Sequence, residues 1–193
     1  MCGRYYVDDE TVREIERLVQ KIDSELNSTV GRDIRPSEKA TVLTGRVQNL
    51  SAEYMNWGFP KYQHSGLIIN ARVETVQEKV SFRDSVMKRR CIIPARHYYE
   101  WDSSKNKVTF YREDDSVIFM AGFYNRFTDG DHFIILTTEA NNSVKKIHDR
   151  MPVILEENEI YDWIYDNRFL DYAICKKSPE LIQYQEYVQQ SLF

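Results

Sequence analysis

The feature that most constrains the fold is a series of short strand-like segments between residues 40 and 137. Each is rich in β-branched or aromatic residues, which favour extended backbone. Polar turn sequences at 103–106, 114–115 and 129–131 separate several of them. We therefore predict an α+β fold of mainly antiparallel strands, arranged in a partly closed barrel flanked by helices. The predicted strands are 40–43, 48–57, 67–70, 91–94, 98–101, 107–112, 117–123 and 132–137.

The first helical pattern lies near the N-terminus. Asp8, Asp9 and Glu10 provide a cap and an acidic first turn for a helix. A polar segment at 27–37 then indicates a loop. The apolar residues of the predicted helix recur at helical spacing, at Val12, Ile15, Leu18, Val19, Ile22 and Leu26.

Further helices are predicted later in the chain. Two short ones are expected at 82–88 and 142–147, and a last helix begins near Glu156. The sequence contains no internal repeat and no linker-like segment, so we expect residues 1–193 to form one domain. The apolar residues that the last helix would bury are Ile160, Trp163 and Ile164.

Composition limits the classes of protein to which the chain can belong. With 193 residues, 42% of them hydrophobic, the chain is long and apolar enough to bury a core. Its net charge of −4 means that a nucleic-acid site must be a local basic patch. Three cysteines without paired spacing (Cys2, Cys91 and Cys175) argue against a disulfide framework and against a zinc site. We expect no metal, no cofactor and a reducing, cytoplasmic location, because neither a signal peptide nor a membrane-spanning run is recognisable.

The N-terminal segment Met1-Cys2-Gly3-Arg4-Tyr5 carries the first candidate for chemistry. Removal of Met1 would leave Cys2 with a free α-amine beside its thiol, a pair that no internal cysteine has. Their ordinary pKa values are about 7.7–8.0 and about 8.5, so both groups are partly deprotonated near neutrality. An aldehyde can form an imine with the amine and then close a thiazolidine ring with the thiol. Taken alone, the segment fits equally well with a chance cysteine at a frayed terminus.

Two further segments could meet this terminus. Asn70 and Arg72 follow an apolar strand and are two residues apart, so they point to the same side of an extended chain. Asn70 can orient an amine or a thiol, and Arg72 can bind a phosphate with two nitrogens. An asparagine at a strand end is, however, often only a turn former. The basic segment at 79–90 is either a solvated face or a phosphate-binding surface, and it contains Arg83, Lys88, Arg89 and Arg90.

Glu100 and His148 complete the set of candidate residues. Glu100 lies between large aromatic residues, which can raise the pKa of a carboxyl group towards neutrality, although the pattern alone favours a surface glutamate. His148, followed by Arg150, could place an imidazole and a guanidinium in one pocket, or could simply end a helix. Cys91 is interpreted as a buried residue without a chemical role. No chemistry is assigned to the remaining histidines, His64, His97 and His132.

The residues of these segments and their order along the chain resemble the SRAP family, the SOS-response-associated peptidases or abasic-site processing proteins. The resemblance runs from Cys2 to about Leu155. Departures include Val80, where a proline is common, and a divergent region beyond about residue 170. The motifs that carry the resemblance are Met-Cys-Gly-Arg-Tyr, Asn-Ala-Arg-Val-Glu-Thr, Arg-Arg-Cys-Ile-Ile-Pro with Tyr-Tyr-Glu-Trp, and Thr-Thr-Glu-Ala with His-Asp-Arg-Met-Pro-Val-Ile-Leu.

The resemblance implies a DNA-damage (SOS) enzyme that binds single-stranded DNA and traps the aldehyde of an abasic site as a thiazolidine. Carried over, Cys2 is the nucleophile, Asn70 positions its amine, Glu100 transfers protons, and His148 assists ring opening or stabilises the imine. An associated lyase activity and a self-processing peptidase activity at Met1 are implied as well. The expected protein is a monomer that uses no cofactor, contacts no membrane, and joins the nucleoid when engaged on DNA.

The resemblance also implies a DNA-binding set. Arg4, Arg72 and Arg150 would hold the phosphates that flank the lesion, with Arg83 contributed by the basic segment. Trp57, together with Phe59, would stack on bases. Two rival functions remain open. One is a cysteine peptidase or an N-terminal-nucleophile amidohydrolase that uses Cys2 with His148, and the other is a DNA-binding module that does not need Cys2.

Overall fold

The computed structural model describes residues 2–19, 31–47, 49–62 and 65–185. Within these ranges, no helix is long and apolar enough to cross a membrane. The helices are α1 (Asp9–Leu18), α2 (Val80–Lys88), α3 (Ile160–Tyr165) and α4 (Phe169–Cys175), with short 3-10 helices at Val73–Thr75 and Glu157–Glu159. The strands are β1 (Tyr5–Val7), β2 (Arg32–Ile34), β3 (Lys39–Arg46), β4 (Asn49–Trp57), β5 (Phe59–Pro60), β6 (Leu67–Ile68), β7 (Asn70–Arg72), β8 (Arg90–Ala95), β9 (His97–Trp101), β10 (Lys107–Tyr111), β11 (Ile118–Phe127), β12 (Gly130–Glu139), β13 (Arg150–Pro152), β14 (Ile154–Leu155) and β15 (Ile182–Gln185).

Five of these strands close into a barrel. Around it, β12 pairs with β4, β4 with β3, β3 with β8, β8 with β11, and β11 with β12 again. All of these pairs are antiparallel except β12 with β4. Every residue of β8 is buried, as expected for a strand that faces the core and is covered on its other side. The predicted α+β fold is confirmed, and the barrel that was predicted to be partly closed is closed.

Strand β12 also joins two short strands that position the candidate site. Towards its C-terminal end it pairs in parallel with β7, where Ile135 lies opposite Asn70. It pairs in the antiparallel direction with β13, where Glu139 lies opposite Arg150. A single buried strand thus places the segment that begins with Asn70 and the segment that follows His148 at the same end of the barrel.

A second sheet packs against the barrel, with strand order β15-β10-β9-β1-β2. Side chains alternate between the two faces of a strand. One face of this sheet is buried, which places Glu100 on the same side as its apolar neighbours. We call the opposite face the outer face. The buried face carries Tyr5, Val7, Ile34, Tyr98, Glu100, Val108 and Phe110.

Helix α1 begins as the sequence predicts. The side chain of Asp8 caps it by accepting hydrogen bonds from the Thr11 backbone N–H at 2.8 Å and from the Thr11 hydroxyl at 2.7 Å. Val12 and Ile15 are buried against the core. The helix ends at Leu18, so the predicted helical position Val19 is wrong, because its backbone is extended. The predicted positions Ile22 and Leu26 lie outside the described residues.

The later helices differ in part from the prediction. Helix α2 confirms the predicted helix at 82–88, but the helix predicted at 142–147 is wrong, because this segment forms hydrogen-bonded turns. The Asn141 side chain accepts hydrogen bonds from the backbone N–H and hydroxyl of Ser143, which favours a turn over helix propagation. The last predicted helix is present as a 3-10 helix followed by α3, which buries Ile160 and Trp163. A loop was predicted at 27–37, but within its described part the residues Arg32–Ile34 form strand β2.

Candidate active site

The N-terminal segment is fastened to the barrel by Asn70. The Asn70 side-chain Nδ2 donates a hydrogen bond of 2.9 Å to the backbone carbonyl of Cys2, which lies 68 residues away in the sequence. Cys2 is fully buried and Asn70 is nearly so. The other side-chain atom of Asn70, Oδ1, is buried without a hydrogen-bond partner in the described part of the chain. Asn70 is therefore not merely a turn former, and Cys2 is not a residue of a frayed terminus.

The thiol of Cys2 is in its neutral form. Burial raises its pKa well above the ordinary range, and the nearby negative charge of Glu100 raises it further. Its Sγ lies 3.8 Å from the backbone carbonyl oxygen of Arg4, which is a weak hydrogen bond. The expectation that this thiol is partly deprotonated near neutrality is wrong for the chain that retains Met1. In that chain the nitrogen of Cys2 is an amide and carries no amine reactivity.

Glu100 lies on the buried face of β9, two residues after Tyr98. Its residue surface is 3% exposed, so the alternative interpretation of a surface glutamate is wrong. Burial raises the pKa of this carboxyl group to about 7, and the negative charge of Asp149 acts in the same direction. A carboxyl group with this pKa exists in both protonation states near neutral pH, as a proton carrier requires.

His148 immediately precedes β13 and is partly buried. The backbone N–H of Arg150 donates a hydrogen bond of 3.0 Å to His148 Nδ1. Burial lowers the pKa of the imidazole, so the neutral ring is favoured. The carboxylate of Asp149 also lies 2.9 Å from Nδ1, but it is largely exposed and would suit only a protonated ring. We assign the neutral tautomer with its proton on Nε2, because Nδ1 accepts the backbone N–H.

Arg150 is already paired within the protein. Its guanidinium binds Glu74 through two contacts, Nη1 to Oε1 at 2.6 Å and Nη2 to Oε2 at 2.9 Å. Nη2 also donates to the backbone carbonyl of Thr137 at 2.7 Å. The Arg150 side chain is 9% exposed. Glu74 occupies the bidentate position that a phosphate would need, so a phosphate would have to displace Glu74, and the phosphate contact of Arg150 stays a prediction.

Trp57 is part of the core. Its side chain is fully buried, and its indole N–H donates to the backbone carbonyl of Ile69 at 3.1 Å. It packs beside Tyr5 and stacks with Phe133 at a centroid distance of 6.1 Å. Phe59 is also buried. The prediction that Trp57 and Phe59 stack on DNA bases is wrong, because neither ring reaches the surface.

Arg72 and Arg83 are exposed, and neither guanidinium forms a hydrogen bond or a close ion pair with another described residue, although the charge of Arg72 helps to lower the pKa of the nearby Glu74. Arg4 is partly buried, with its guanidinium 5.0 Å from the centroid of the Trp101 ring. It lies 3.7 Å from the carboxylate of Asp33. Arg72 and Arg83 are therefore available to an anion, whereas the charge of Arg4 is partly neutralised by Asp33.

Three further basic residues at the end of this segment are already engaged within the protein. Lys88 and Arg89 both pair with Asp84, at 2.8 Å and 2.5 Å. Arg90 is buried, its pKa is lowered by burial, and its donors reach only backbone carbonyls. Those carbonyls lie near the ends of α2 and α3, namely Val86, Met87, Trp163 and Ile164. Arg90 therefore joins two helix ends and does not face a ligand.

Two residues of the site were not identified from the sequence. Glu74 belongs to the segment 70–75, but its pairing with Arg150 joins residues 76 apart and has no local signal. The Tyr98 hydroxyl is buried without a hydrogen-bond partner within the described ranges, and alternation along β9 would have placed it beside Glu100. In the same ranges, no group of three or more histidine, cysteine or acidic side chains is arranged to hold a metal ion.

The fold is shared with solved structures. A protein from Bacteroides thetaiotaomicron superposes with a TM-score of 0.81 at 22% sequence identity, covering 97% of this chain and 93% of that chain. A protein from Bordetella bronchiseptica superposes with a TM-score of 0.79, also at 22% identity, covering 97% of this chain and 100% of that chain. At these identities the likeness shows a common fold.

Sequence relatives give a more specific result. Abasic site processing protein YoaM of Bacillus subtilis is 31% identical, and the match covers 85% of this chain and 79% of that protein. Abasic site processing protein YedK of Escherichia coli is 28% identical with the same coverage. The sequence profile of the family described as SOS response associated peptidase (SRAP) matches residues 1–185. The chain therefore belongs to the SRAP family.

Proposed function

We propose that this protein processes abasic sites in single-stranded DNA, and that Cys2, after removal of Met1, is the residue that bonds to them. The observation that carries the proposal is the hydrogen bond that fastens Cys2 to Asn70 next to a buried carboxyl group with a pKa of about 7. The relatives named above are abasic site processing proteins. An abasic site exposes an aldehyde when its sugar ring opens, which is the group that a 1,2-aminothiol captures.

The first step joins the Cys2 amine to the aldehyde carbon. The amine adds to the carbonyl, and the resulting carbinolamine loses its hydroxyl group as water to give a protonated imine, which keeps the N–H proton. Glu100 in its protonated form donates the proton that the departing hydroxyl needs, and becomes a carboxylate. Asn70 holds the Cys2 carbonyl, which keeps the amine and the thiol of the same residue oriented towards one carbon atom.

The second step closes the ring. The Cys2 sulfur adds to the carbon of the protonated imine, and the C=N electron pair moves to the nitrogen, which keeps its proton. Because burial raises the pKa of the thiol, its proton needs an acceptor as the C–S bond forms. The Glu100 carboxylate left by the first step accepts the thiol proton. The net reaction releases one water molecule and returns Glu100 to its starting state.

His148 acts on the sugar before these steps. A neutral imidazole with its proton on Nε2 can donate a hydrogen bond to the ring oxygen of the closed deoxyribose as it opens. Glu74 supports this tautomer indirectly, because it holds the Arg150 guanidinium while the Arg150 backbone N–H binds His148 Nδ1. Glu74 and Arg150 are therefore positioning residues.

The same imine supports the lyase activity of the proposal, since removal of a proton from the adjacent sugar carbon expels the 3′ phosphate. Self-processing at Met1 would generate the amine that these steps require. The rival function, a cysteine peptidase or amidohydrolase that pairs Cys2 with His148, requires an activated thiolate. The neutral thiol, whose hydrogen bond goes to the Arg4 carbonyl, favours the aldehyde chemistry instead.

The experiment that tests the proposal is denaturing electrophoresis after incubation with abasic single-stranded DNA. We expect a complex that survives denaturation in the wild type, and none in Cys2→Ala or in protein that retains Met1. Cys175→Ala is the matched control, because it removes an exposed free cysteine outside the site. An undiminished complex in Cys2→Ala would remove Cys2 from the reaction.

A further inference from the structure

The outer face of the five-stranded sheet is unusually aromatic. Direct pairing across the strands puts Tyr6 opposite His97, and aligns Tyr99, Thr109 and Tyr184 in one row. Trp101 pairs with Lys107, which adds a cation to the same face. The face thus presents six aromatic rings, contributed by Tyr6, His97, Tyr99, Trp101, Tyr111 and Tyr184. The solvent-facing side of an antiparallel sheet normally carries polar residues, so this face needs an explanation.

Several of these rings remain accessible to a ligand. Tyr184 is 56% exposed, and Tyr6, Trp101 and Tyr111 are partly exposed. Tyr99 itself is buried, and the Lys107 ammonium lies 4.9 Å from its ring centroid. The rings available for stacking are therefore those around Lys107, and not the Tyr99 ring that Lys107 contacts.

The charge of this face favours an anionic ligand. Arg4 and Lys107 both lie over aromatic rings, at 5.0 Å and 4.9 Å from the ring centroids. The carboxylate of Asp33 is already engaged, since it accepts a hydrogen bond from the Tyr99 hydroxyl at 2.9 Å and faces Arg4. Burial lowers the pKa of His97, which keeps that ring neutral. Aromatic rings interleaved with cations are the features of single-strand nucleic-acid platforms.

The outer face is continuous with the candidate active site. Trp101 directly follows Glu100, and Arg4 lies two residues after Cys2. Because successive side chains of a strand point to opposite faces, Glu100 faces the buried side while Trp101 faces the outer side at the same strand end. A strand of DNA that leaves Cys2 beside Arg4 therefore meets the outer face at Trp101.

We propose that the outer face binds the nucleotides that flank an abasic site, with bases stacked on Trp101, Tyr111 and Tyr184 and a phosphate bound by Lys107. This inference rests on the proposed function, because it takes the same single strand as its ligand. From β1 to β15 the sheet spans about 14 Å, given strand spacings of roughly 4.8 Å. That width accommodates a few nucleotides and predicts a binding contribution that depends on oligonucleotide length.

The test measures the affinity of the full chain for undamaged single strands of increasing length, by fluorescence anisotropy. For wild type, we expect affinity to rise between five and twelve nucleotides. In Tyr184→Ala this gain should fall about tenfold, since each base stacked on an aromatic ring contributes roughly 5- to 150-fold. Tyr172→Ala is the matched control, because Tyr172 is 54% exposed on α4, away from the sheet. A Tyr184→Ala variant that equals Tyr172→Ala at every length overturns the proposal.

A second variant tests the proposed phosphate contact. Lys107→Gln should lower the slope of log affinity against log salt by about 0.7, as expected for one lost phosphate contact on a single strand. An unchanged slope contradicts this contact. If Tyr184→Ala instead dissolves a dimer detected by light scattering and leaves DNA affinity intact, the face is a protein interface and the proposal fails. Crosslinking of wild type to a five-nucleotide strand with the abasic site at its centre tests the proposed function separately, because only two nucleotides then remain on each side of the lesion.

Discussion

Glu100 and Glu74 differ in what surrounds their carboxyl groups, although both lie within the candidate site. Glu100 is buried on the inner face of the five-stranded sheet, opposite Val108, and burial raises its pKa to about 7. The Glu74 side chain is 50% exposed and paired with Arg150, which lowers its pKa. The pair teaches that the same residue type becomes a proton carrier where burial dominates and a fixed charge where a guanidinium dominates.

The largest expected effect comes from replacing the proton carrier. Glu100→Gln keeps the shape of the side chain but cannot transfer protons, so crosslinking should slow by about 10²- to 10⁴-fold. In the wild type the first step needs the protonated carboxyl group, so the rate should fall as pH rises through about 7. The measurement is single-turnover crosslinking against pH. A variant that matches wild type at each pH assigns the proton transfers to another group.

The second prediction concerns stability and uses the same substitution. The raised pKa of Glu100 means that folding favours its protonated form, a contribution present below about 4.5 and lost as pH rises to about 7. Glu100→Gln avoids this loss. The free energy of unfolding of the variant, relative to that of the wild type, should therefore increase between pH 5 and pH 8 by an amount on the order of 3 kcal/mol. Urea unfolding at both pH values measures it, and a difference that does not change with pH would contradict the burial of a titrating carboxyl group.

The third prediction tests Glu74 as a positioning residue. Glu74→Gln should loosen Arg150 and reduce the crosslinking rate by about tenfold, as for a modest loss of alignment. It should also shift the His148 ring nitrogen resonances towards a mixture of tautomers, which a merely structural change elsewhere would not do. Glu78→Gln is the control, since Glu78 is an exposed glutamate four residues further on. Unchanged nitrogen resonances in Glu74→Gln would remove the link from Glu74 to His148.

The smallest expected effect is on the salt dependence of DNA binding, and it should differ between exposed arginines and the arginine that is paired with Glu74. Arg72→Ala should weaken binding to undamaged single strands and lower the log–log salt slope by about 0.7, because an exposed, unpaired guanidinium can release one counterion contact. Arg83→Ala tests the same property on α2. Arg150→Ala should leave this slope unchanged, since its guanidinium is held by Glu74. A slope that drops in Arg150→Ala and not in Arg72→Ala would reverse the assignment.

Local patterns predicted the parts of the molecule that depend on neighbours in sequence. The Asp8 cap and most barrel strands follow from residue type and spacing. Strands β3, β11 and β12 are longer in the structure than predicted, and the residues that the prediction missed lie at the strand ends, where side-chain preference is weak. The site motifs were recognised because each is a short contiguous segment and the segments follow one another in the order typical of the family.

Long-range pairing accounts for what the sequence did not predict. Trp57 resembles a surface aromatic in a polar segment, but its strand β4 runs in parallel beside β12, and this pairing buries the ring. The pairing of Arg150 with Glu74 joins residues 76 apart and has no local signal in the sequence. Helix α4 and strand β15 lie in the divergent region, where no motif guided the prediction.

The most direct test of the central claim is the intact mass of the protein after reaction with an abasic single strand. A thiazolidine at Cys2 predicts a one-to-one adduct whose mass is the sum of the DNA and the Met1-free protein minus one water. It also predicts that only two of the three cysteines remain alkylatable after denaturation, because the ring consumes the Cys2 thiol. An adduct of that mass with all three cysteines alkylatable, or an adduct mapped to another residue, would contradict the account.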